Sequence, residues 1–143
     1  MDFGFTEEQL LIQDVARRIA QEKIAPSAEQ FDKSDEFLLD NIRLLGEYGL
    51  MGIEVPAEYG GAGMDPIAYV LAMVEIAAAD AAHSTIMSVN NSLFCNGILT
   101  HGTEAQKQKY VRAIAEGAEI GAFALTEPQS GSDATAKIGR AHV

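Results

Sequence analysis

Residues 81–103 read AAHSTIMSVNNSLFCNGILTHGT, a run in which no side chain carries a formal charge at neutral pH. The run is long enough for a helix to cross a bilayer. It also contains many hydroxyl and amide groups, which hydrocarbon cannot satisfy. These groups belong to Ser84, Thr85, Ser88, Asn90, Asn91, Ser92, Asn96 and Thr100. The pattern therefore predicts a helix buried inside a bundle, with no membrane insertion.

Helix start and stop signals on both sides of this run predict four more helices. Thr6 with Gln9, and Thr103 with Gln106, have the spacing of capping boxes, in which each side chain bonds the other residue's backbone N–H. Asp65 before Pro66 has the pattern of a helix N-cap, and Gly49 and Gly117 are predicted helix stops. The apolar periodicity gives the extent of each helix. The predicted helices begin at Thr6 with a break or restart at Pro26, then cover about 35–48, 66–80, 82–100 and 104–117. The fold class is therefore mainly α, with an N-terminal helical domain of about five helices over residues 1–118.

The helical spacing of apolar residues ends at about residue 118. Residues 120–125, IGAFAL, form a short apolar run between turn signals, which predicts a β-strand. The next residues, 126–133, form a loop, and successive N–H groups at Ser130, Gly131 and Ser132 suit an anion such as phosphate. An ordinary loop is the alternative. We expect residues 119–137 to begin a second, β-structured unit.

Composition excludes several classes of protein. The chain has 143 residues, 48% of them apolar, and a formal net charge of −11, so nonspecific nucleic-acid binding is not expected. Its one cysteine, Cys95, rules out an intrachain disulfide and fits a buried apolar side chain better than a nucleophile. The three histidines lack metal-ligand spacing, so no metal site is expected. The N-terminal residues resemble neither a signal nor a transit peptide, which favours a cytoplasmic, bacterial protein.

One polar pattern in the uncharged run leaves two interpretations open. Ser84, Ser88, Ser92, Asn96 and Thr100 recur every four residues and therefore share one helix face. Small side chains of this kind allow close helix packing. Buried hydroxyls and amides also line ligand cavities, since each must find a partner.

Residues 123–133, FALTEPQSGSD, closely resemble the flavin-binding signature of acyl-CoA dehydrogenases. Three other segments resemble the same family in the same order: FTEEQ at 5–9, VPAEYGGAG at 55–63 and GTEAQKQKY at 102–110. Residues 86–93, IMSVNNSL, are most similar to the short-chain, butyryl-CoA dehydrogenase branch. The resemblance covers residues 1 to about 136.

The resemblance implies a fold, a reaction and site residues. Family enzymes are homotetramers whose subunits have an N-terminal helical domain, a middle β-barrel and a C-terminal helical bundle. They oxidise acyl-CoA to the trans-2-enoyl-CoA with FAD, and electron-transferring flavoprotein reoxidises the flavin. By similarity, Phe123, Leu125 and Thr126 lie along the flavin ring, with Thr126 bonding its pyrimidine side. Ser132 lies near the FAD pyrophosphate and the pantetheine arm of the substrate. Val89 lies at the floor of the acyl pocket, where it fits a short cavity.

The sequence also departs from the family pattern. The catalytic glutamate of the family lies in the C-terminal bundle, and none of the glutamates in this chain matches it. The resemblance therefore puts no catalytic residue in this chain, which we expect to be truncated and inactive alone. Residues 138–143, IGRAHV, resemble the conceptual translation of a sequencing adapter and are expected to be a non-native tail.

Two other functions remain open at this stage. A fragment of an acyl-CoA oxidase is one alternative, since such an enzyme belongs to the same family and differs in how oxygen reaches the reduced flavin. A stand-alone, non-catalytic helical interaction domain is the other alternative. An unpaired strand after residue 118 argues against the latter, since exposed strand edges promote aggregation.

Overall fold

A computed structural model describes residues 4–34, 36–37 and 39–136 of the chain. The tail proposed at 138–143 lies outside the described residues, as does Lys137. The described elements in chain order are α1 (Glu7–Ile19), π1 (Ala20–Ile24), α2 (Ala25–Lys33), α3 (Leu39–Glu47), α4 (Pro66–Ala79), α5 (Ala81–Ser88), π2 (Val89–Cys95), α6 (Asn96–His101), α7 (Glu104–Gln106), π3 (Lys107–Val111) and α8 (Arg112–Ala115). Short 3₁₀ turns occur at Leu50–Gly52, Ala57–Tyr59 and Ala134–Ala136.

The π-helical segments join their neighbours into longer helices, so the described chain forms five helical units. These are α1–π1–α2, α3, α4, α5–π2–α6 and α7–π3–α8. The prediction of a mainly α domain with about five helices is confirmed. Pro26 lies in the first turn of α2, directly after π1, and the helical path continues through it without a break. Within the described part of the chain, no helix combines the length and the apolarity that a bilayer crossing requires.

Side-chain caps fix three of the helix starts where the sequence predicts them. The Thr6 hydroxyl accepts from the Gln9 N–H, and the Gln9 side chain accepts from the Thr6 N–H at 2.9 Å. Thr103 and Gln106 form the same reciprocal pair at α7. Asp65 caps α4 by accepting from the N–H of its third residue. Both predicted capping boxes are therefore confirmed.

Glycines end two helices and bring their backbones together. Gly49 and Gly117 both have φ of +75°, the left-handed conformation predicted for helix stops. A Cβ on Gly117 would lie 2.6 Å from the Cα of Gly46 in α3. The end of the α7–π3–α8 unit therefore packs directly on the α3 backbone, which leaves no room for a side chain.

Two apolar clusters make up the core. The larger joins α1, π1, α3 and α4 with the 3₁₀ turn at 50–52 and the end of α5. The smaller contains Val55, Tyr59, Cys95, Val111, Ile114 and Ala115. Cys95 is fully buried, as expected for an apolar side chain, and burial raises the pKa of its thiol to about 12.

The strand predicted over residues 120–125 is not found in the described chain. This segment is irregular, and the pairing beside it is one isolated antiparallel bridge between Glu127 and Ser130. A strand is stabilised by hydrogen bonds to a neighbouring strand. No described segment supplies that neighbour. The apolar run therefore has the composition of a strand but no strand to pair with.

Candidate functional site

Helix π2 carries a buried amide that connects three parts of the chain. Asn90 is fully buried, and its Nδ2 donates to the carbonyl oxygens of Met51 and Ile114, each at 3.2 Å. Its Oδ1 accepts from the N–H of Gly121 at 2.8 Å. A single side chain thus holds a 3₁₀ turn, helix α8 and the start of the segment that follows the bundle.

The next residue, Asn91, makes a similar set of hydrogen bonds to the same 3₁₀ turn. The Nδ2 of Asn91 donates to the carbonyls of Leu50 and Met87 at 2.9 Å, and its Oδ1 accepts from the Ile53 N–H at 2.7 Å. Each amide therefore donates two hydrogen bonds and accepts one. No sequence pattern considered above predicts this bonding role, although two adjacent asparagines in an uncharged helix are the signal for it.

Gly121 fixes the start of the segment that carries three of the candidate residues. A Cβ at Gly121 would lie 2.5 Å from Cγ of Phe94, which belongs to π2. The backbone at 121 therefore lies against the Phe94 ring while it donates to Asn90. This double contact fixes the point at which the segment leaves π2.

The five predicted site residues fall in two groups. Phe123 and Leu125 are 53% and 48% exposed on the irregular segment, and Thr126 at its end is exposed too. Val89 is half-buried at the first position of π2, one residue before the Asn90 anchor. Ser132 is exposed beyond the turn at 127–130. The structure thus attaches the start of the segment, at Gly121, to the helix that carries Val89, whereas Ser132 lies on a separate loop.

The loop after Thr126 forms a closed turn. Glu127 and Ser130 exchange two backbone hydrogen bonds of 3.0 Å, and the Ser130 hydroxyl donates to the carbonyl of Asp133 at 2.7 Å. The N–H of Ser130 is therefore occupied, so the predicted anion site cannot use it. Hydrogen bonds from the hydroxyl and the N–H of Thr135 hold the pKa of Asp133 below its usual range. The loop thus keeps a negative charge at its end.

These observations test how well the segment suits the FAD that the resemblance implies. Two half-exposed apolar side chains and an exposed hydroxyl fit the edge of a flavin ring, which is apolar on its faces and polar at its rim. The charged residues from 119 to 136 are Glu119, Glu127 and Asp133, all negative. The described segment therefore suits the ring, and cations from elsewhere would have to neutralise the diphosphate.

The polar stripe on α5–π2–α6 is satisfied mostly within the helix. The Ser84 hydroxyl donates to the carbonyl of Ala81, and that of Ser92 donates to the carbonyl of Ser88. Ser88 accepts from the Tyr69 hydroxyl of α4 at 3.3 Å, which is a packing contact. Ser92 and Asn96 of the stripe border a cleft of about 210 Å³, which is also lined by Glu54, Val55, Asn91 and Leu99. Bonds within the helix and packing against α4 thus account for Ser84 and Ser88.

A second buried polar group lies at the start of α5. His83 is fully buried, with Nδ1 2.5 Å from Oδ2 of Asp80 and Nε2 3.1 Å from Nδ2 of Asn41. Burial acts to raise the pKa of Asp80, but hydrogen bonds from the side chain and backbone of His83 outweigh it and lower the pKa. The network joins α3 to α5. Over the described ranges, no three His, Cys, Asp or Glu side chains are grouped as metal ligands would be.

Residues 6–118 match the family model described as acyl-CoA dehydrogenase, N-terminal domain. The match covers well over half of the chain, and the chain therefore belongs to the acyl-CoA dehydrogenase family. A curated relative, an acyl-CoA dehydrogenase of Bacillus subtilis, is 50% identical over 129 residues, which is 90% of this chain and 34% of the relative. The short-chain specific acyl-CoA dehydrogenase of Clostridium acetobutylicum is 41% identical over 96% of this chain and 36% of its own length.

Solved structures are similar in both fold and sequence. A chain in the structure described as electron transferring flavoprotein of Acidaminococcus fermentans superposes with a TM-score of 0.91 at 44% identity, over 96% of this chain and 36% of that one. Butyryl-CoA dehydrogenase of Megasphaera elsdenii gives a TM-score of 0.86 at 36% identity, over 94% and 36%. An acyl-CoA dehydrogenase of Bacillus anthracis complexed with FAD gives 0.85 at 31% identity, over 93% and 23%.

The present chain spans about a third of the length of the curated relatives it matches. It corresponds to the helical domain and the residues directly after it.

Proposed function

We propose that these residues are the N-terminal part of a short-chain acyl-CoA dehydrogenase. The enzyme would oxidise a short-chain acyl-CoA to the trans-2-enoyl-CoA in fatty-acid oxidation or butyrate metabolism and pass electrons to electron-transferring flavoprotein. The observation that carries this proposal is the anchored segment 121–126 on π2. The segment starts at Gly121, which is bonded to Asn90, the residue after Val89, and it carries half-exposed apolar side chains and a hydroxyl on a domain of this family.

The chain's own residues would bind and orient the flavin and the substrate. Phe123 and Leu125 would cover the flavin ring, and the Thr126 hydroxyl would bond its pyrimidine side. Ser132 would contact the FAD pyrophosphate and the pantetheine arm of acyl-CoA. FAD, when bound, supplies the hydride acceptor for the oxidation. The Asn90 and Phe94 contacts at Gly121 would fix the height of the segment above the helix, because a small displacement of bound groups costs rate.

Val89 would limit the length of the acyl chain. It lies on the same helix that anchors the flavin segment, and a branched apolar side chain fills the end of a short pocket. Replacing Val89 by Ala is therefore expected to raise the preference for octanoyl-CoA over butyryl-CoA roughly tenfold in kcat/KM, the effect of one or two methyl groups in an apolar pocket.

Assembly and location complete the proposal. We infer a homotetramer in the cytoplasm, with acyl-CoA and electron-transferring flavoprotein as partners and no nucleic acid. The family membership supports the assembly, and the net charge of −11 supports the exclusion of nucleic acid. These 143 residues by themselves are proposed to neither bind FAD tightly nor oxidise acyl-CoA, since they contain no matching glutamate base.

A chimera tests the proposal directly. Residues 1–136 would replace the corresponding part of the Bacillus subtilis relative, which is 50% identical over this region. We expect the chimera to copurify with FAD, seen by its absorbance, and to reduce a dye with butyryl-CoA. Thr126→Val should lower FAD affinity and activity roughly tenfold, the effect of one lost hydrogen bond to a polar group. Thr100→Val, at an exposed helix position, is the matched control.

Three outcomes would contradict the proposal. A folded chimera without flavin would leave a non-catalytic interaction domain as the better function. Rapid reaction with O₂ in place of the dye would favour an acyl-CoA oxidase. Turnover by the 143-residue chain alone would show that the base lies within it.

A further inference from the structure

The imidazole of His83 is shielded from solvent by the helical domain itself, and each ring nitrogen has a partner. Nδ1 lies 2.5 Å from a carboxylate oxygen of Asp80, which accepts hydrogen bonds but cannot donate one, so Nδ1 carries a hydrogen. The same oxygen accepts from the His83 backbone N–H at 3.2 Å. The protonation state of the ring therefore depends on Nε2, which faces the side-chain amide of Asn41 at 3.1 Å.

A serine on α2 determines which way the Asn41 amide points. The Ser27 hydroxyl lies 3.0 and 3.1 Å from the carbonyl oxygens of Lys23 and Ile24, and its single hydrogen is donated to them. Ser27 therefore accepts from Asn41, whose Nδ2 lies 3.3 Å away. Nδ2 has two hydrogens, so it donates one to Ser27 and the other to Nε2 of His83. Because Nε2 is an acceptor, the ring is neutral and its one hydrogen is on Nδ1.

Among the described residues, Asp80 is the charged group that contacts this ring. Glu75 on α4 is paired with Arg17 instead, and Asp32 and Glu36 line a cleft of about 300 Å³ together with Asp80. The charged side chains of π1, α2 and α3 are all exposed: Glu22, Lys23, Glu29, Asp32, Lys33, Asp40, Arg43 and Glu47. Burial acts to raise the pKa of Asp80, but the hydrogen bonds from His83 outweigh it and lower the pKa. Asp80 therefore stays a carboxylate, and an added proton goes to Nε2.

We propose that the side chains of Asp80, His83, Asn41 and Ser27 form a proton-driven hydrogen-bond switch that links α5 to α2. A proton taken up from solvent binds the lone pair of Nε2, which changes from an acceptor into a donor. The Asn41 amide then turns over, so that Oδ1 takes the place of Nδ2. The two lone pairs of Oδ1 accept from Nε2 and from the Ser27 hydroxyl. Ser27 thereby releases the backbone carbonyls of π1 to which it donates in the neutral state.

The three steps occur together because each intermediate arrangement pairs like with like. A hydrogen on Nε2 with the amide unturned puts two donors 3.1 Å apart. A turned amide with the Ser27 hydroxyl unmoved puts two acceptors about as close together. Unmatched polar groups are costly where they are shielded from water. The proposal depends on contacts within the helical domain and not on the dehydrogenase function.

Nitrogen NMR of the ¹⁵N-labelled 143-residue chain measures the state of the ring. Replacing the other two histidines, His101→Gln and His142→Gln, leaves His83 as the source of the imidazole signals. At pH 8 we expect Nδ1 to be protonated and Nε2 to be unprotonated. A ring with its hydrogen on Nε2 alone, or with both nitrogens protonated at that pH, would overturn the proposal.

Asn41→Asp tests whether the amide keeps the ring neutral. A carboxylate can only accept, so it favours a hydrogen on Nε2, and its charge stabilises the imidazolium. We expect His83 to keep both hydrogens to a higher pH than in the wild type, by roughly one to three pH units, the effect of an opposite charge in contact. Asn96→Asp, the same change at an exposed helix position, is the control and should leave the titration of His83 unchanged. Equal titration curves for Asn41→Asp and the wild type contradict the switch.

Asn41→Ala tests the link from the ring to α2. As the pH is lowered, the backbone amide signals of Ser27 and Ala28 in the wild type should shift with the same midpoint as the His83 ring. Asn41→Ala should leave His83 titrating but abolish the matching shift at Ser27. Ser27→Ala breaks the link at its other end, and the same loss is then expected at Ala28.

Two results of this titration would overturn the proposal. One is a His83 ring that stays neutral until the chain unfolds. The other is a shift on α2 that does not follow the His83 ring in the wild type, or that follows it equally in both alanine variants. Either result would leave the proposed enzymatic function unaffected.

Discussion

Asn90 fixes the point at which the candidate segment leaves the helical domain. Its amide is fully buried and bonds three backbone groups that come from distant parts of the chain. Burying an amide is costly unless each of its hydrogen bonds is made. The side chain therefore stabilises one arrangement of the turn at 50–52, helix α8 and Gly121, and it penalises any other.

Replacing Asn90 by Ala should destabilise the protein by about 2–4 kcal/mol, because it leaves buried backbone groups without partners. Urea unfolding, followed by circular dichroism, measures the change. Asn96→Ala is the matched control, since Asn96 is exposed on the same helical unit and should change stability by about 0.5 kcal/mol or less. Similar losses in both variants would show that the Asn90 bonds contribute little.

Gly121 should tolerate a methyl group only when Phe94 is made smaller. Gly121→Ala places its Cβ within van der Waals contact of the Phe94 ring, and we expect a loss of about 1–3 kcal/mol. Phe94→Ala in the same chain removes Cγ and Cδ2, which would lie 2.5 and 2.9 Å from the new Cβ, and should recover part of that loss, so the double-mutant cycle gives a coupling of opposite sign. Additive losses would indicate that the alanine acts on the backbone and not on the ring.

At the scale of elements, hydrogen bonds and one salt bridge align α1 with α4. Arg17 donates to both carboxylate oxygens of Glu75, at 2.8 and 3.2 Å, and Gln13 donates to Oε1 at 2.8 Å. Gln9 donates to Asp65 at the start of α4. The bonds run from Gln9 to Arg17 along α1 and from Asp65 to Glu75 along α4, so the two helices lie side by side in parallel. This arrangement sets which face of α4 is turned outward.

Glu75 should make stability depend on pH. The hydrogen bond from Arg17 holds the pKa of Glu75 below its usual range, against burial, and Gln13 adds to the lowering. Because the folded pKa is the lower one, the stabilisation is complete above the unfolded pKa of about 4.3 and is lost as pH falls through the folded value. Glu75→Gln should therefore be less stable than wild type at pH 7, and the gap should narrow between pH 5 and pH 3.

Urea unfolding of both proteins at several pH values measures this gap. Glu29→Gln is the control, since Glu29 pairs with Lys33 on an exposed helix face and such pairs contribute little. A gap between wild type and Glu75→Gln that stays constant from pH 7 to pH 3 would contradict the assignment of the effect to this carboxylate.

At the scale of the whole molecule, the two core clusters meet around the α5–π2–α6 unit. Met87 belongs to the larger cluster and Cys95 to the smaller, and the two asparagines lie between them in sequence. The polar bonds of π2 therefore join two apolar regions into one domain. A substitution that destabilises either cluster is therefore expected to weaken the Asn90–Gly121 hydrogen bond at the start of segment 121–126.

Cys95 reports on this cooperativity. Its thiol is buried and its pKa is raised to about 12, so in the native state the reactive thiolate is scarce and inaccessible. We expect labelling by a thiol reagent to be slow and to accelerate with urea in parallel with unfolding. Asn90→Ala should label markedly faster than wild type. Fast labelling of the wild type without denaturant would show that the smaller cluster opens locally.

Local sequence signals determined the helices, because caps, glycine stops and apolar periodicity act within a few residues. Thr6, Asp65, Thr103, Gly49 and Gly117 all have the roles that the sequence predicts. The similarity of residues 123–133 to a flavin signature also needed only the sequence. Only the tertiary structure decided that residues 120–125 are irregular, that the Ser130 N–H is occupied and that Asn90 holds Gly121. A strand and a buried amide depend on partners distant in the chain, and no local pattern specifies which partners will be near.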